Sequence, residues 1–227
     1  MMNLRNALFF VSLLGLLATP AAFAGVRASL LGVGTLSMPT ASLSVDVAGV
    51  STAFPSPTGK FGFGGGLLLE VPLSMRLALE LGGVYYQRKF SIDETTLGGS
   101  LITLSFPTLE VPLTLNIHFN RFIMLSLGGY VTAPAGKGSA TFADGTFVDA
   151  TYSDFLLRNM NFGVLGGLGL CLPLGSKAAL RVEGRYHLAL QNSIDADTLA
   201  AQATASWKQN ELQALVGLTF GGGMSSK

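Results

Sequence analysis

The stretch TLEVPLTLNIHF, residues 108–119, alternates between apolar and polar side chains over nearly its whole length. The apolar set is Leu109, Val111, Leu113, Leu115, Ile117 and Phe119, and between them fall Glu110, Pro112, Thr114, Asn116 and His118. Alternate side chains of an extended strand leave opposite faces, so one face here is wholly apolar and the other carries polar groups. A helix cannot sort these residues in that way. The stretch therefore predicts a β-strand with different surroundings on its two sides.

The composition is poor in charge and rich in apolar residues. Only 12% of the 227 residues are charged and 49% are hydrophobic, with a mean hydropathy of +0.50, whereas a soluble domain carries about a quarter charged residues. After the N-terminal segment no run of about 18 apolar residues occurs, which argues against helical membrane spans. Apolarity spread by alternation favours a closed membrane barrel, because a barrel satisfies its backbone hydrogen bonds without a lipid-exposed edge. The net charge of +1 gives no argument for a nucleic-acid partner.

The N-terminal segment has the pattern of a secretory signal peptide. Arg5 precedes an apolar run over residues 7–18, and Ala22-Phe23-Ala24 forms a small-residue cleavage site. We expect residues 1–24 to be the signal peptide and residues 25–227 to be one outer-membrane β-barrel domain. The single cysteine, Cys171, then forms no internal disulfide and is best interpreted as a small buried side chain.

Eight strands of alternating pattern follow one another in the exported chain. They are predicted at residues 26–36, 61–71, 77–88, 101–119, 122–132, 162–172, 180–190 and 212–220. Long connections at 37–60, 91–100, 133–159 and 191–208 alternate with short turns at 72–75, 120–121 and 174–178. Outer-membrane barrels have long loops outside and short periplasmic turns, so both chain ends are expected in the periplasm. The fold class is thus all-β, an eight-stranded antiparallel up-and-down transmembrane β-barrel.

Two local departures from a plain barrel are expected. Asp144-Gly145, flanked by strand formers at 141–148, is a turn signal and predicts a hairpin that extends beyond the bilayer. Pro112 lies inside a strand, where proline removes a ladder hydrogen bond, so we expect a local bulge there.

Two further patterns agree with a barrel plan. The residues of the second hairpin recur at one constant offset four strands later, for example Gly65, Leu79 and Tyr85 as Gly166, Leu180 and Tyr186, which either duplication or convergence explains. Aromatic residues fall near the strand ends, where membrane barrels carry aromatic girdles. Those predicted at the two rims are Phe61, Phe63, Tyr85, Phe119, Phe162, Tyr186 and Phe220.

Several short motifs are shared with a known family. They are Phe63-Gly64-Gly65-Gly66-Leu67, Glu70-Val71-Pro72-Leu73-Ser74, Leu109-Glu110-Val111-Pro112-Leu113, Gly128-Gly129-Tyr130 and Glu183-Gly184-Arg185-Tyr186. With these motifs the chain resembles the outer-membrane β-barrel domain of the PorT-like family over nearly all of its exported length. The resemblance implies an eight-stranded barrel in a Gram-negative outer membrane and implies little about activity.

Charged residues concentrate on the inward face that this strand register predicts. The predicted interior network comprises Arg27, Glu70, Glu80, Glu110, His118, Arg181, Glu183, Arg185 and His187. An eight-stranded barrel is only wide enough for its own side chains, and unpaired buried charges are costly, so we expect these groups to pair and plug the lumen. The alternative is a narrow porin-like conduit for small or hydrophobic molecules, gated by rearranged pairs.

Three functional classes remain open at this point. The first is a structural or interaction role through the outer loops, whose apolar residues include Val45, Phe54 and Phe147. The second is the narrow conduit. The third is a lipid-modifying hydrolase that would use Glu183, His187 and Ser193, although four residues of strand separate Glu183 from His187 by roughly 13 Å.

We expect the first of these classes, with no catalytic residues, no cofactor and no metal site. Two histidines and one cysteine give no recognisable metal-ligand spacing. The expected partners are outer-membrane lipid and the barrel-assembly machinery, for a monomeric protein of the cell outer membrane.

Overall fold

The alternating sequence forms strands in every part of the chain that is described. A computed structural model describes residues 25–47, 50–53, 57–92, 102–150, 160–193 and 203–221. Its strands are β1 (Arg27–Val47), β2 (Val50–Ala53), β3 (Thr58–Pro72), β4 (Leu77–Ile92), β5 (Ile102–His118), β6 (Ile123–Pro134), β7 (Gly138–Thr141), β8 (Phe147–Ala150), β9 (Asn161–Pro173), β10 (Ala178–Ala189) and β11 (Ala203–Gly221). Over those residues, no helix is long and apolar enough to cross a membrane.

Eight of these strands close into an antiparallel barrel. Their order around the ring is β1, β3, β4, β5, β6, β9, β10 and β11. The first and last strands meet along a seam that runs from the pair Arg27↔Gly221 to the pair Val45↔Ala203. This closure leaves no open sheet edge in the ring and confirms the predicted fold class.

The two ends of the barrel differ. One, the turn end, carries short turns at 73–76, 119–122 and 174–177. Ser74 Oγ accepts hydrogen bonds from the backbone N–H groups of Arg76 and Leu77, and Asn120 Oδ1 accepts those of Phe122 and Ile123. The other, the loop end, carries the long connections. All three turns are formed where the sequence predicts them, and in two of them a serine or asparagine side chain replaces the missing ladder partners.

The predicted connections at 37–60 and 191–208 are partly wrong. β1 continues through residue 47 and pairs with β11 and with β2, and β11 already begins at Ala203. The barrel wall is therefore longer at this seam than the sequence predicts. Proline and small polar residues predicted a loop, but Pro39 lies where β1 has no pairing with β3, so its missing N–H breaks no bond on that side.

The two predicted local departures have different outcomes. The hairpin at 141–148 is confirmed as β7 and β8, joined at Gly145, whose φ of +83° suits glycine. The bulge at Pro112 is not found: the β4–β5 pairing stops after Leu81↔Leu113 and resumes at Val84↔Glu110 in the same register. The irregularity lies instead in β3, between Lys60 and Gly64. In this register the two unpaired β4 residues are glycines, Gly82 opposite Pro112 and Gly83 opposite Val111.

The two faces of the wall have opposite character. On β5, Glu110 is fully buried in the lumen, whereas Leu113 on the outer face is 51% exposed. Large apolar side chains cover the outer face of the other strands as well, as Phe63 at 71% exposure illustrates. Cys171 is free and half-buried. The predicted signal peptide and most of the predicted connection at 91–100 lie outside the described residues.

Candidate functional site: the charged lumen

A cluster of two glutamates and two arginines crosses the middle of the lumen. Glu80 on β4 binds Arg181 Nη1 and Arg185 Nη2 on β10, each at 2.5 Å. Glu183 binds the same two arginines, at 2.5 Å to Arg181 Nη2 and 2.8 Å to Arg185 Nε. β4 and β10 stand four positions apart in the ring of eight, so the two Glu80 pairs join opposite walls, while the Glu183 pairs lie within β10. This central cluster of two carboxylates and two guanidinium groups is electrically neutral.

The local sequence provides both the residues and the space for the central cluster. Arg181, Glu183 and Arg185 alternate along β10 and so share the inward face. Gly167, opposite Arg185 on β9, has no side chain to compete with them: a Cβ there would lie 2.8 Å from Glu183 Oε1. The forked guanidinium group suits this arrangement, since it donates to two carboxylates at once.

A second cluster lies nearer the loop end. The Tyr86 hydroxyl donates to Glu211 Oε2 at 2.6 Å and lies 3.2 Å from Glu110 Oε2. Arg88 Nε donates to Glu211 Oε1 at 2.5 Å, and His187 Nε2 lies 3.1 Å from Glu110 Oε1. This outer cluster thus links β4, β5, β10 and β11 through buried groups.

Around these two clusters, amide side chains supply further hydrogen bonds. Gln213 Nε2 donates to Glu110 Oε2 at 2.9 Å, and Gln209 accepts from Arg88. Asn116 Nδ2 donates to Glu70 at 2.8 Å and to Glu80 at 3.1 Å, which connects the central cluster to the turn end. Satisfied partners of this kind are what make buried charges tolerable.

The turn end is closed by three ionisable side chains. Arg27 forms an ion pair with Glu70, and His118 Nε2 lies 3.3 Å from the same carboxylate. Arg27 and His118 retain 23% and 14% side-chain exposure, so this trio meets solvent at the mouth.

An apolar cluster closes the loop end above the charges. Phe90, Leu104, Phe106 and Ala140 are all buried there. The indole ring of Trp207, on β11, packs edge-on against Phe90 with 5.1 Å between ring centroids. We call the four buried residues and Trp207 the apolar cap. The cap reaches from β4 and β5 to β11 and separates the outer cluster from the loops.

All nine residues of the predicted network face the lumen, but they form three groups instead of one. Sequence reasoning missed Glu211, Gln213 and Asn116 as members, and it left Tyr86 and Arg88 out of the network. The signal for Glu211 and Gln213 was present, since they alternate with Leu212 and Ala214. Glu211 falls just before the predicted strand at 212–220, and Gln213 inside that strand is uncharged. The signal for the cap residues was present too, because Phe106 shares the strand parity of Glu110 and Phe90 shares that of Arg88.

The seven predicted girdle residues all lie on the outside of the barrel or at its rim. Their exposed fractions run from 44% for Tyr186 to 71% for Phe63. Phe119 and Phe220 are at the turn end, and the other five lie on the half of the wall nearer the loops.

The residues of the hydrolase alternative do not assemble into a nucleophilic triad. Glu183 is held by two arginines, and His187 pairs with Glu110. Ser193 is buried, and its Oγ forms no hydrogen bond in the described structure. Across those same residues, no group of three or more His, Cys, Asp or Glu side chains is placed to hold a metal ion.

A closed barrel with an apolar outer face and a charged, buried lumen defines an integral membrane barrel. A family profile described as "Outer membrane protein beta-barrel domain" matches residues 24–195. The chain belongs to this outer-membrane β-barrel family, and its location is the outer membrane.

Solved structures agree with the fold. The outer membrane protein OprG from Pseudomonas aeruginosa is 15% identical with a TM-score of 0.58, covering 87% of this chain and 95% of its own. Ail of Yersinia pestis is 14% identical with a TM-score of 0.41, covering 86% and 99%. Neisserial surface protein A is 9% identical with a TM-score of 0.42, covering 85% and 96%. At these identities the likeness concerns the fold alone, and it rests on the comparison with OprG. A comparison with curated protein sequences found no match.

Proposed function

We propose that this protein is a sealed outer-membrane barrel with a structural or interaction role, exercised through its loop end. The main support for this proposal is the central cluster, in which Glu80 contacts both Arg181 and Arg185 from the opposite wall. The apolar cap supports the same conclusion, because it adds a second barrier at the loop end. A doubly closed lumen leaves the outer wall and the loops as the surfaces available to partners.

The finer assignment is to the PorT-like family, supported by the shared motifs of β3, β5, β6 and β10. We propose a monomer that depends on outer-membrane lipid and on the barrel-assembly machinery for insertion. We propose no catalytic role, in keeping with the separate partners of Glu183 and His187.

The second candidate function is a narrow conduit, favoured by one specific observation. Several buried polar atoms of the lumen have no hydrogen-bond partner in the described structure, among them Arg185 Nη1, His187 Nδ1, Gln213 Oε1 and Ser126 Oγ. Buried groups of this kind are ordinarily satisfied, often by water. They lie on β6, β10 and β11, and a hydrated path along that side would bypass the cluster.

Electrical recording separates the two functions. The protein is purified from outer membranes, checked for heat-dependent gel mobility, and inserted into planar bilayers. The sealed barrel gives a mobility shift and no discrete conductance. Replacing both Arg181 and Arg185 by alanine then lowers the unfolding free energy while the bilayer stays silent, and Arg121→Ala in an exposed turn serves as control. Discrete steps from the wild-type protein, or their appearance in the double variant without loss of fold, would establish the conduit instead.

A further inference from the structure

Two lysines stand directly opposite each other on the outer face of the wall. Lys60 on β3 and Lys89 on β4 are cross-strand partners. Lys89 lies between the inward residues Arg88 and Phe90, so strand alternation directs it, and its partner Lys60, away from the lumen. Like charges placed directly opposite on adjacent strands are destabilising. An anion bound between the two ammonium groups would remove this repulsion.

No carboxylate of the described residues supplies that anion. The only lysine–carboxylate pair there joins Lys137 to Asp149, at 3.6 Å. The two lysines begin a row of cross-strand partners that continues with hydroxyl side chains. Lys89 pairs with Ser105 on β5, and Ser105 pairs with Ser139 on β7. The row therefore presents two cationic groups and two hydroxyls side by side before it reaches Asp149 on β8.

The height of this row on the barrel indicates what it meets. Phe61 and Phe63 follow Lys60 toward the turn end and are 67% and 71% exposed, and Tyr85 on β4 is 47% exposed. Exposed aromatic side chains mark the boundary between hydrocarbon and headgroups. The lysines lie just beyond that boundary on the loop side, at the depth of the headgroups of the outer leaflet.

A groove borders the row on its β5 side. It has a volume of about 250 Å³ and runs between the outer wall of β4 and β5 and the β7–β8 hairpin. Gln87 and Ser105 line it from the wall, and Phe147 and the Lys137–Asp149 ion pair line it from the hairpin side. An amide, a hydroxyl and aromatic rings suit a sugar ring adjacent to a phosphate.

We propose that Lys60 and Lys89 bind a phosphate of a phosphorylated glycolipid in the outer leaflet, with the sugar in the neighbouring groove. The distribution of cations agrees with this assignment. The arginines at 27, 88, 181 and 185 are used inside the barrel, where bidentate pairing matters, while the outer row uses lysine, a compact, strongly hydrated charge that binds phosphate as a point charge. Acyl chains of the same lipid lie along Phe61 and Phe63.

The test measures binding of lipid A that carries both phosphates, and of the same lipid with its phosphates removed, by native mass spectrometry of the protein in detergent. We expect the phosphorylated lipid to bind more tightly. Lys60→Gln or Lys89→Gln weakens its binding about fivefold, and the double substitution about twentyfold, on the scale of one basic residue at a charged membrane surface. Lys177→Gln, in a turn at the other end of the barrel, is the matched control and leaves binding unchanged.

Three results would overturn the proposal. They are equal affinity for the two lipids, equal effects of the Lys89 and Lys177 substitutions, and full displacement by inorganic phosphate at the concentration of the lipid. A second readout does not depend on binding. In detergent without anionic lipid, Lys89→Gln raises the resistance to unfolding because it removes a like-charge pair, and in lipid A bilayers it lowers that resistance. If Lys89→Gln changes the resistance to unfolding in the same direction in both media, the proposed site is contradicted.

Discussion

Glu80 and Arg181 occupy equivalent positions of two hairpins, and their side chains meet across the barrel at 2.5 Å. They are 101 residues apart, which is the offset at which the β3–β4 sequence recurs in β9–β10. The cross-strand registers agree as well, since Glu70↔Glu80 corresponds to Cys171↔Arg181. The two hairpins lie on opposite sides of the ring. The repeat therefore places opposite charges at the same height on facing walls.

The first prediction concerns exchange of this pair. Glu80→Arg or Arg181→Glu alone leaves the central cluster with three like charges, and each costs about 3–5 kcal/mol of unfolding free energy. The double exchange restores neutrality and is less destabilised than either single variant. Urea titration followed by gel mobility measures all three, with Arg76→Glu in the exposed turn as control. A double variant as unstable as the sum of the singles would show that the two residues do not interact.

The second prediction concerns space for the cluster. Gly167→Ala places a Cβ 2.8 Å from Glu183 Oε1 and 3.0 Å from the Gly184 carbonyl oxygen, and we expect a loss of about 1–3 kcal/mol. Gly184, next to Arg185 on the paired strand, has no atom within 4 Å of a built Cβ, so Gly184→Ala is the control and is near neutral. Comparable stability of the two variants in thermal unfolding would mean that the cluster tolerates displacement.

The third prediction isolates one hydroxyl. Tyr86→Phe removes the group that donates to Glu211 at 2.6 Å and accepts from Arg88 Nη2 at 3.1 Å, leaving a buried carboxylate short of a partner. The expected cost is about 1–3 kcal/mol. The neighbouring Tyr85→Phe changes an exposed ring on the outer face and should leave the urea midpoint unchanged. If both substitutions shift that midpoint equally, the hydroxyl does not contribute through the lumen.

The fourth prediction concerns pH and the exposed turn of the β7–β8 hairpin. The backbone N–H of Thr146 donates to Asp144 Oδ1 at 2.8 Å, and this bond, with a second from the Thr146 side chain, lowers the pKa of the Asp144 carboxyl. Because the pKa is lowered, the bond stabilises the turn fully at pH values above the ordinary pKa of aspartate. This stabilisation is lost as the pH falls through the pKa of Asp144 in the folded protein. The Thr146 amide NMR signal should titrate with a midpoint below that of an unstructured aspartate, and Asp144→Asn should abolish the titration. A midpoint at or above the unstructured value would contradict the bond.

Alternation explains why the barrel is predictable from the sequence. It fixes which face each residue takes, so the inward position of Glu110 follows from the parity of one strand. It does not fix which charges meet, because the pairing of Glu110 with His187 depends on the register of several strands. Alternation also does not predict where the strands end. Pro39 and its small neighbours carry a loop composition, yet pairing with β11 holds them extended.

The seam between β1 and β11 also sets an order of events in folding. The hydrogen bond between the Ser29 and Thr219 hydroxyls joins residues 190 positions apart, so it forms only after the whole domain has been synthesised. The lumenal bonds from Tyr86 and Arg88 to Glu211, which span 125 and 123 positions, wait for the same step. Until the ring closes, these charged groups face water. Closure and dehydration of the interior thus coincide, and a chain stalled before closure exposes its whole polar face at once.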